Sequence, residues 1–162
     1  MEVIILIIIL YLFYKYYEYQ QLHVKKQRRA PFKNRYDLNR HQPISEFESK
    51  MVQGMFEEGK EVFVTAFCTE IDILSVTATI GSKFRCRPSD NYNAWGNKAQ
   101  MLGATQIRQY HNHPAVFGRS FLSEEDQLSS AVYEDITKEY GIIFRSFLVY
   151  PRRLGGYAIK EF

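Results

Sequence analysis

The stretch Gln109–Asp126, QYHNHPAVFGRSFLSEED, decides how this chain reads, because it holds two histidines, a serine and an aspartate in one strand-loop-helix unit. The preceding TQIRQY of Thr105–Tyr110 alternates as a strand does, so His111 and His113, two residues apart, project from the same face of a sheet. Pro114 removes a backbone donor and stops the strand there. Ser123-Glu-Glu-Asp126 then opens a helix expected over residues 124–140, which puts Asp126 in the first turn, where its carboxylate can swing toward the histidines. Two imidazoles and a carboxylate suit zinc, at about 2.0 to 2.1 Å per nitrogen. Closed structural zinc sites use four protein ligands, whereas three with an open position mark a catalytic site, so the expectation is hydrolysis with Zn2+ as cofactor. Each piece also has a plainer reading: Ser123-x-x-Asp126 is a capping-box-like helix start with Ser123 as N-cap, and a histidine pair alone is a weak metal signal. Their co-occurrence in a chain with four histidines favours the site.

Working outward, Glu61–Cys68 and Ile73–Ile80 are rich in β-branched and aromatic residues and predict two strands of a hairpin. Ser45-Glu-Phe-Glu48 reads as a capping box opening a helix to about Glu58, with Phe47, Met51 and Met55 on one face. A further helix is expected over residues 91–102, with Asp90 as N-cap and Gly103 past its end. Ile143–Tyr150 and Gly156–Lys160 close the chain as strands. The order predicts an α/β fold: a mixed β-sheet flanked by helices.

His111-x-His113-Pro114, Ser123-x-x-Asp126 and an upstream glutamate together resemble the signature of the JAMM (JAB/MPN) zinc metalloproteases, and the tetrapeptide His-Asn-His-Pro is similar to the RadC branch. The resemblance covers roughly Glu61–Phe162 and implies a JAB/MPN-like domain with cytidine-deaminase-like layering. It implies peptide or isopeptide hydrolysis, with a protein or peptide substrate such as a ubiquitin-like conjugate; a RadC-like DNA-associated protein and a noncatalytic membrane-tethered binding module are the alternatives. His111, His113 and Asp126 match the family's metal ligands, Glu61 its general base and acid, and Ser123 the serine that hydrogen-bonds the oxyanion. Glu70 is the alternative base. Asn112 points away from the histidines and is expected to support the site without ligating. The nine residues between His113 and Ser123 exceed the family's usual spacing, and the loop Ala115–Leu122 departs from it most. There Phe117 and Arg119 are expected to border the cleft and bind substrate, while Phe121 and Leu122 either do the same or staple the helix start.

The front of the chain is different. Val3–Tyr14, VIILIIILYLFY, is an uninterrupted apolar run, short of the roughly 20 residues of a usual spanning helix. It can span if Lys15 snorkels and Tyr16 and Tyr17 sit at the interface. A signal peptide would need a positive start and a small-residue cleavage site, and neither is present; a buried helix or strand is the other reading. Met1–Pro43 carries eight Lys or Arg against three acids, net +5, while the rest carries thirteen against fifteen, net −2. The basic residues follow the apolar run, so residues 1–22 read as an N-terminal membrane helix touching lipid, 23–44 as a basic juxtamembrane linker, and 45–162 as a cytoplasmic catalytic domain. A nucleic-acid partner for the basic stretch is the weaker alternative. Cys68 and Cys86 lack C-x-x-C spacing, and reduced thiols are expected.

Overall fold

The computed structural model describes residues 11, 14–15, 28–29, 41–56, 59–82, 86, 94–113, 123–152 and 155–162. Among these, β1 (Arg28–Arg29), β2 (Gln42–Pro43), β3 (Val62–Cys68), β4 (Asp72–Ile80), β5 (Gln106–Asn112), β6 (Ile143–Pro151) and β7 (Tyr157–Glu161) form one sheet. Its order is β1-β4-β3-β5-β6-β7, with β2 also paired to β4. The helices are α1 (Ile44–Phe56), α2 (Trp95–Leu102) and α3 (Glu124–Lys138). All neighbours are antiparallel except β5 and β6, which run parallel because α3 carries the chain back between them. The sheet is therefore mixed and helix-flanked, as the element order predicts.

β3 is buried along nearly its whole length, which is why its sequence is VFVTAFC and not an apolar-polar alternation. Val62, Val64, Ala66 and Cys68 share one face with Tyr110, Phe147 and Val149, and there they meet Phe47, Met51 and Met55 of α1. Those three recur every fourth residue, so one stripe of α1 covers that face. Met51 is wholly buried in this contact; truncating it to alanine should cost about 2 to 5 kcal/mol. Phe67 and Ile107 point the other way, toward Trp95 and Ala99 of α2 and Tyr133 of α3. A side chain at Gly96 would run into the Tyr140 ring, so glycine is what lets the end of α3 approach α2.

Two helix starts differ from their sequence signals. α1 begins at Ile44, directly after Pro43, so Ser45 lies inside its first turn. Glu48 turns to the sheet instead, accepting from Arg108 Nη2 at 2.8 Å and the Tyr110 hydroxyl at 2.7 Å. A charge-assisted pair of bonds outcompetes a local cap. α2 begins at Trp95 with Ala94 at its N-cap and no side-chain cap bond, while Gly103 closes it in the left-handed region at φ 68°. Asp90 and residues 91–93 lie outside the described residues.

Cys68 and Cys86 are buried and not joined in a disulfide. Within the stretch expected to be a linker, Arg28–Arg29 and Gln42–Pro43 pair with β4. The expected membrane helix of residues 1–22 lies outside the described residues apart from Tyr11, Tyr14 and Lys15. No helix among the described residues is long and apolar enough to cross a membrane.

Candidate metal centre

The parallel pair β5–β6 ends where α3 begins, so the last residues of β5 and the first turn of α3 meet at one edge of the sheet. This is where open α/β sheets place their ligands. His111 lies in register with Phe63 of β3 on one side and Leu148 of β6 on the other. The Phe63 ring stacks on its imidazole, centroids 5.0 Å apart and planes 14° from parallel, which fixes the ring's orientation. His113 follows one residue past the strand on the same face, its ring 5.1 Å from that of His111.

Asp126 completes the group from α3. Its Oδ2 lies 3.6 Å from Nε2 of His111 and 3.6 Å from Nε2 of His113. That separation exceeds a hydrogen bond, which runs to about 3.2 Å. It is close to the roughly 3.3 Å expected between two donors of a tetrahedral ion with bonds of about 2.0 to 2.1 Å. The three residues offer ligand atoms within 4.8 Å of one another, a group that could hold a metal ion.

Buried polar atoms argue the same way. Both ring nitrogens of His111 and Nδ1 of His113 are buried with no hydrogen-bond partner among the described residues. Each such atom costs about 1 to 3 kcal/mol if left unsatisfied. A metal on one nitrogen of each ring removes much of that penalty, so the donor set fits an ion.

Ser123 caps α3 and aims Asp126. Its Oγ donates to Asp126 Oδ2 at 2.6 Å and accepts from the Asp126 N–H at 3.2 Å, while its own N–H donates back to Oδ2 at 3.1 Å. The capping box is complete, and the oxygen it holds is the one facing the histidines. Burial works against ionisation of Asp126, but the two imidazoles and the Ser123 hydroxyl outweigh it and hold the carboxyl well below the usual carboxylate range. The positive end of the α3 dipole acts in the same sense. Ser123 is thus the N-cap of α3 and, through the same bonds, the residue that orients Asp126.

Glu61 stands at the entrance of β3. Its N–H donates to Ser82 C=O at 2.9 Å and its C=O accepts from Gly81 N–H at 2.8 Å, tying it to the end of β4. Burial pushes its carboxyl up to about 7, with Asp126 and Glu125 pushing the same way, while His113 and the Cys86 N–H pull it down. Glu61 is therefore within electrostatic reach of the His-His-Asp group. Glu70 is not placed for that role. It sits in the β3–β4 turn beyond Cys68, which pairs with Gln106, whereas Phe63 pairs with His111. Five residues of strand separate those pairs, about 17 Å.

Asn112 is fully buried on the opposite face from the histidines and makes its hydrogen bonds to protein backbone, as a supporting residue should. Phe117 and Arg119, expected at the rim, lie outside the described residues, as do Phe121 and Leu122. Phe63 was missed by sequence reasoning, because its place against His111 is set by cross-strand register and leaves no local signal. No known family model matches the chain, and a search of curated proteins finds no match to it.

Proposed function

We propose that this chain is a zinc-dependent metallopeptidase or isopeptidase of the JAMM kind, tethered to a membrane by its apolar N-terminal run and hydrolysing a peptide or isopeptide bond of a protein substrate. The observation that carries the proposal is the convergence of Asp126 Oδ2 on the two Nε2 atoms at equal distances, with the Glu61 carboxyl within electrostatic reach of the group. Three protein ligands leave a zinc ion an open position. When bound, zinc supplies the Lewis acidity that makes water a nucleophile near neutral pH.

The chain's own residues do the rest. Glu61, with its carboxyl poised at about 7, takes the proton from the attacking water and returns it to the leaving amine. A bound dication beside it would draw that value down and keep it basic. Ser123 holds Asp126 Oδ2 toward the imidazoles. Turning its hydroxyl to a developing oxyanion gives up one bond to a charged group, about 1.5 to 3 kcal/mol. One such donor is worth about 2.7 to 4 kcal/mol in the transition state, so the exchange favours catalysis.

The test is cleavage of a panel of quenched-fluorescence peptides and isopeptide-linked conjugates by the zinc-loaded full chain. The proposal expects turnover that chelation abolishes, zinc restores and Glu61→Gln lowers by about 10²- to 10⁴-fold. Cleavage that survives chelation and Glu61→Gln would refute it.

A further inference from the structure

Asn112 lies between the two histidines in sequence and behind them in space. Its side chain is fully buried. Oδ1 accepts from Val62 N–H at 2.6 Å, and Nδ2 donates to Met55 C=O at 2.7 Å and to Lys60 C=O at 3.2 Å. The amide cannot be flipped, since that would set its NH2 against an N–H and its oxygen against two carbonyls. Val62 N–H belongs to the peptide group that follows Glu61, and Lys60 C=O to the peptide group that precedes it. One carboxamide thus grips both peptide planes on either side of the Glu61 Cα, and with them the two backbone dihedrals that aim its side chain. The third bond, to Met55, anchors the grip to the end of α1.

The register explains why a side chain is needed here. Backbone pairing of β3 with β5 begins at Phe63–His111, so Val62 lies just beyond the ladder and Asn112 supplies the acceptor the ladder does not. The residue that carries the clamp is covalently flanked by two members of the metal group, so any shift of the histidine pair is transmitted to Glu61. Asparagine suits the task because it offers one acceptor and two donors at a short reach; serine or threonine offers one donor, and aspartate none.

We infer that Asn112 is a positioning residue, a carboxamide clamp that holds the Glu61 carboxylate in fixed relation to the His111-His113-Asp126 group. The inference rests on the reading of Glu61 as the proton-handling carboxylate.

The experiment uses the full chain loaded with cobalt in place of zinc, and reads the pH midpoint of the change in cobalt's visible absorption. Wild type, Glu61→Gln, Asn112→Ser, Asn112→Asp and the Glu61→Gln/Asn112→Ser double variant are compared. Expected are midpoint shifts in the same direction for Glu61→Gln and Asn112→Ser, and a double variant shifted no further than Glu61→Gln alone. Non-additivity of that kind marks two residues acting as one unit. A silent Asn112→Ser and Asn112→Asp beside a shifted Glu61→Gln overturns the clamp while leaving Glu61 in its role. A silent Glu61→Gln overturns both, and wild type that binds no cobalt overturns the metal reading beneath them. Hydrogen exchange on the wild-type chain gives a check that needs no variant: the Val62 amide should exchange as slowly as those of the β3 core. Fast exchange at Val62 overturns the clamp whatever the variants do.

Discussion

β5 carries polar side chains on both of its faces and treats them in opposite ways. On the α1 face, Arg108 donates to Glu48 and to the Tyr110 hydroxyl, Tyr110 donates to the same Glu48 oxygen, and Asn112 engages three backbone groups. On the α3 face, His111 has two buried nitrogens without a hydrogen-bond partner among the described residues, and Gln109 and His113 have one each. The strand is shared but the neighbours are not: one face meets Phe47, Met51 and Met55 of α1, the other meets Trp95 and Ala99 of α2 and Tyr133 of α3. Polar groups kept for architecture are satisfied within the chain. The two histidines left open on the other face stand at equal distances from Asp126, an arrangement that could hold a metal ion.

The contrast breaks most readily at His113. His113→Ala should weaken metal binding beyond the roughly 10- to 100-fold that loss of a supporting partner produces, as read by competition with a chromogenic chelator. The unfolding midpoint of the metal-free protein should fall only modestly, because what the fold loses is the 3.6 Å pairing of His113 with Asp126. Glu48→Ala should do the reverse. Removing the shared acceptor takes one bond from Arg108 Nη2 and one from the Tyr110 O–H, and hydrogen bonds to a charged group are worth about 1.5 to 3 kcal/mol. Urea unfolding should show that loss while metal affinity stays at the wild-type value. If the two variants behave alike, the faces are not functionally distinct.

Proton linkage sharpens the comparison. In the folded chain Glu61 is raised from an ordinary value of 4.5 to about 7, so the folded state holds its proton more tightly. Its stabilising contribution is complete below about pH 4.5 and is lost as pH rises through about 7. Asp126 has the opposite sign: its contribution is present above its ordinary 3.8 and is lost as pH falls below it. Chelated wild type should therefore lose stability between about pH 4.5 and 7, and Glu61→Gln should flatten that slope, as thermal unfolding at stepped pH would show. The smallest effect is expected at Gln109, buried on the α3 face with Nε2 unpartnered among the described residues. Replacing an unsatisfied polar group with an apolar one of similar size is near neutral or stabilising, so Gln109→Leu should leave the unfolding midpoint unchanged or slightly raised.

What could be read from sequence was local. The alternation before His111 gave the strand, Ser123 and Asp126 sit three apart as a capping box requires, and Gly103 takes the left-handed turn that ends α2. What escaped depended on distant partners. Ser45-x-x-Glu48 has the pattern of a helix start, but Glu48 meets Arg108 and Tyr110 about sixty residues along the chain, and no local pattern announces such a pairing. The choice between Glu61 and Glu70 turned on register, since both flank the same strand and only Glu61 stands at the end that pairs with His111. Phe63 stacked on His111 is a product of the same register.

Under the proposed function, the His111-His113-Asp126 group holds zinc. That is tested most directly by elemental analysis of the full chain purified without chelator, beside the His113→Ala and Asp126→Ala variants. Stoichiometric zinc is expected in the wild type and its loss from both variants, each still folded. A folded wild type free of metal, or variants that retain zinc at the wild-type level, would contradict it.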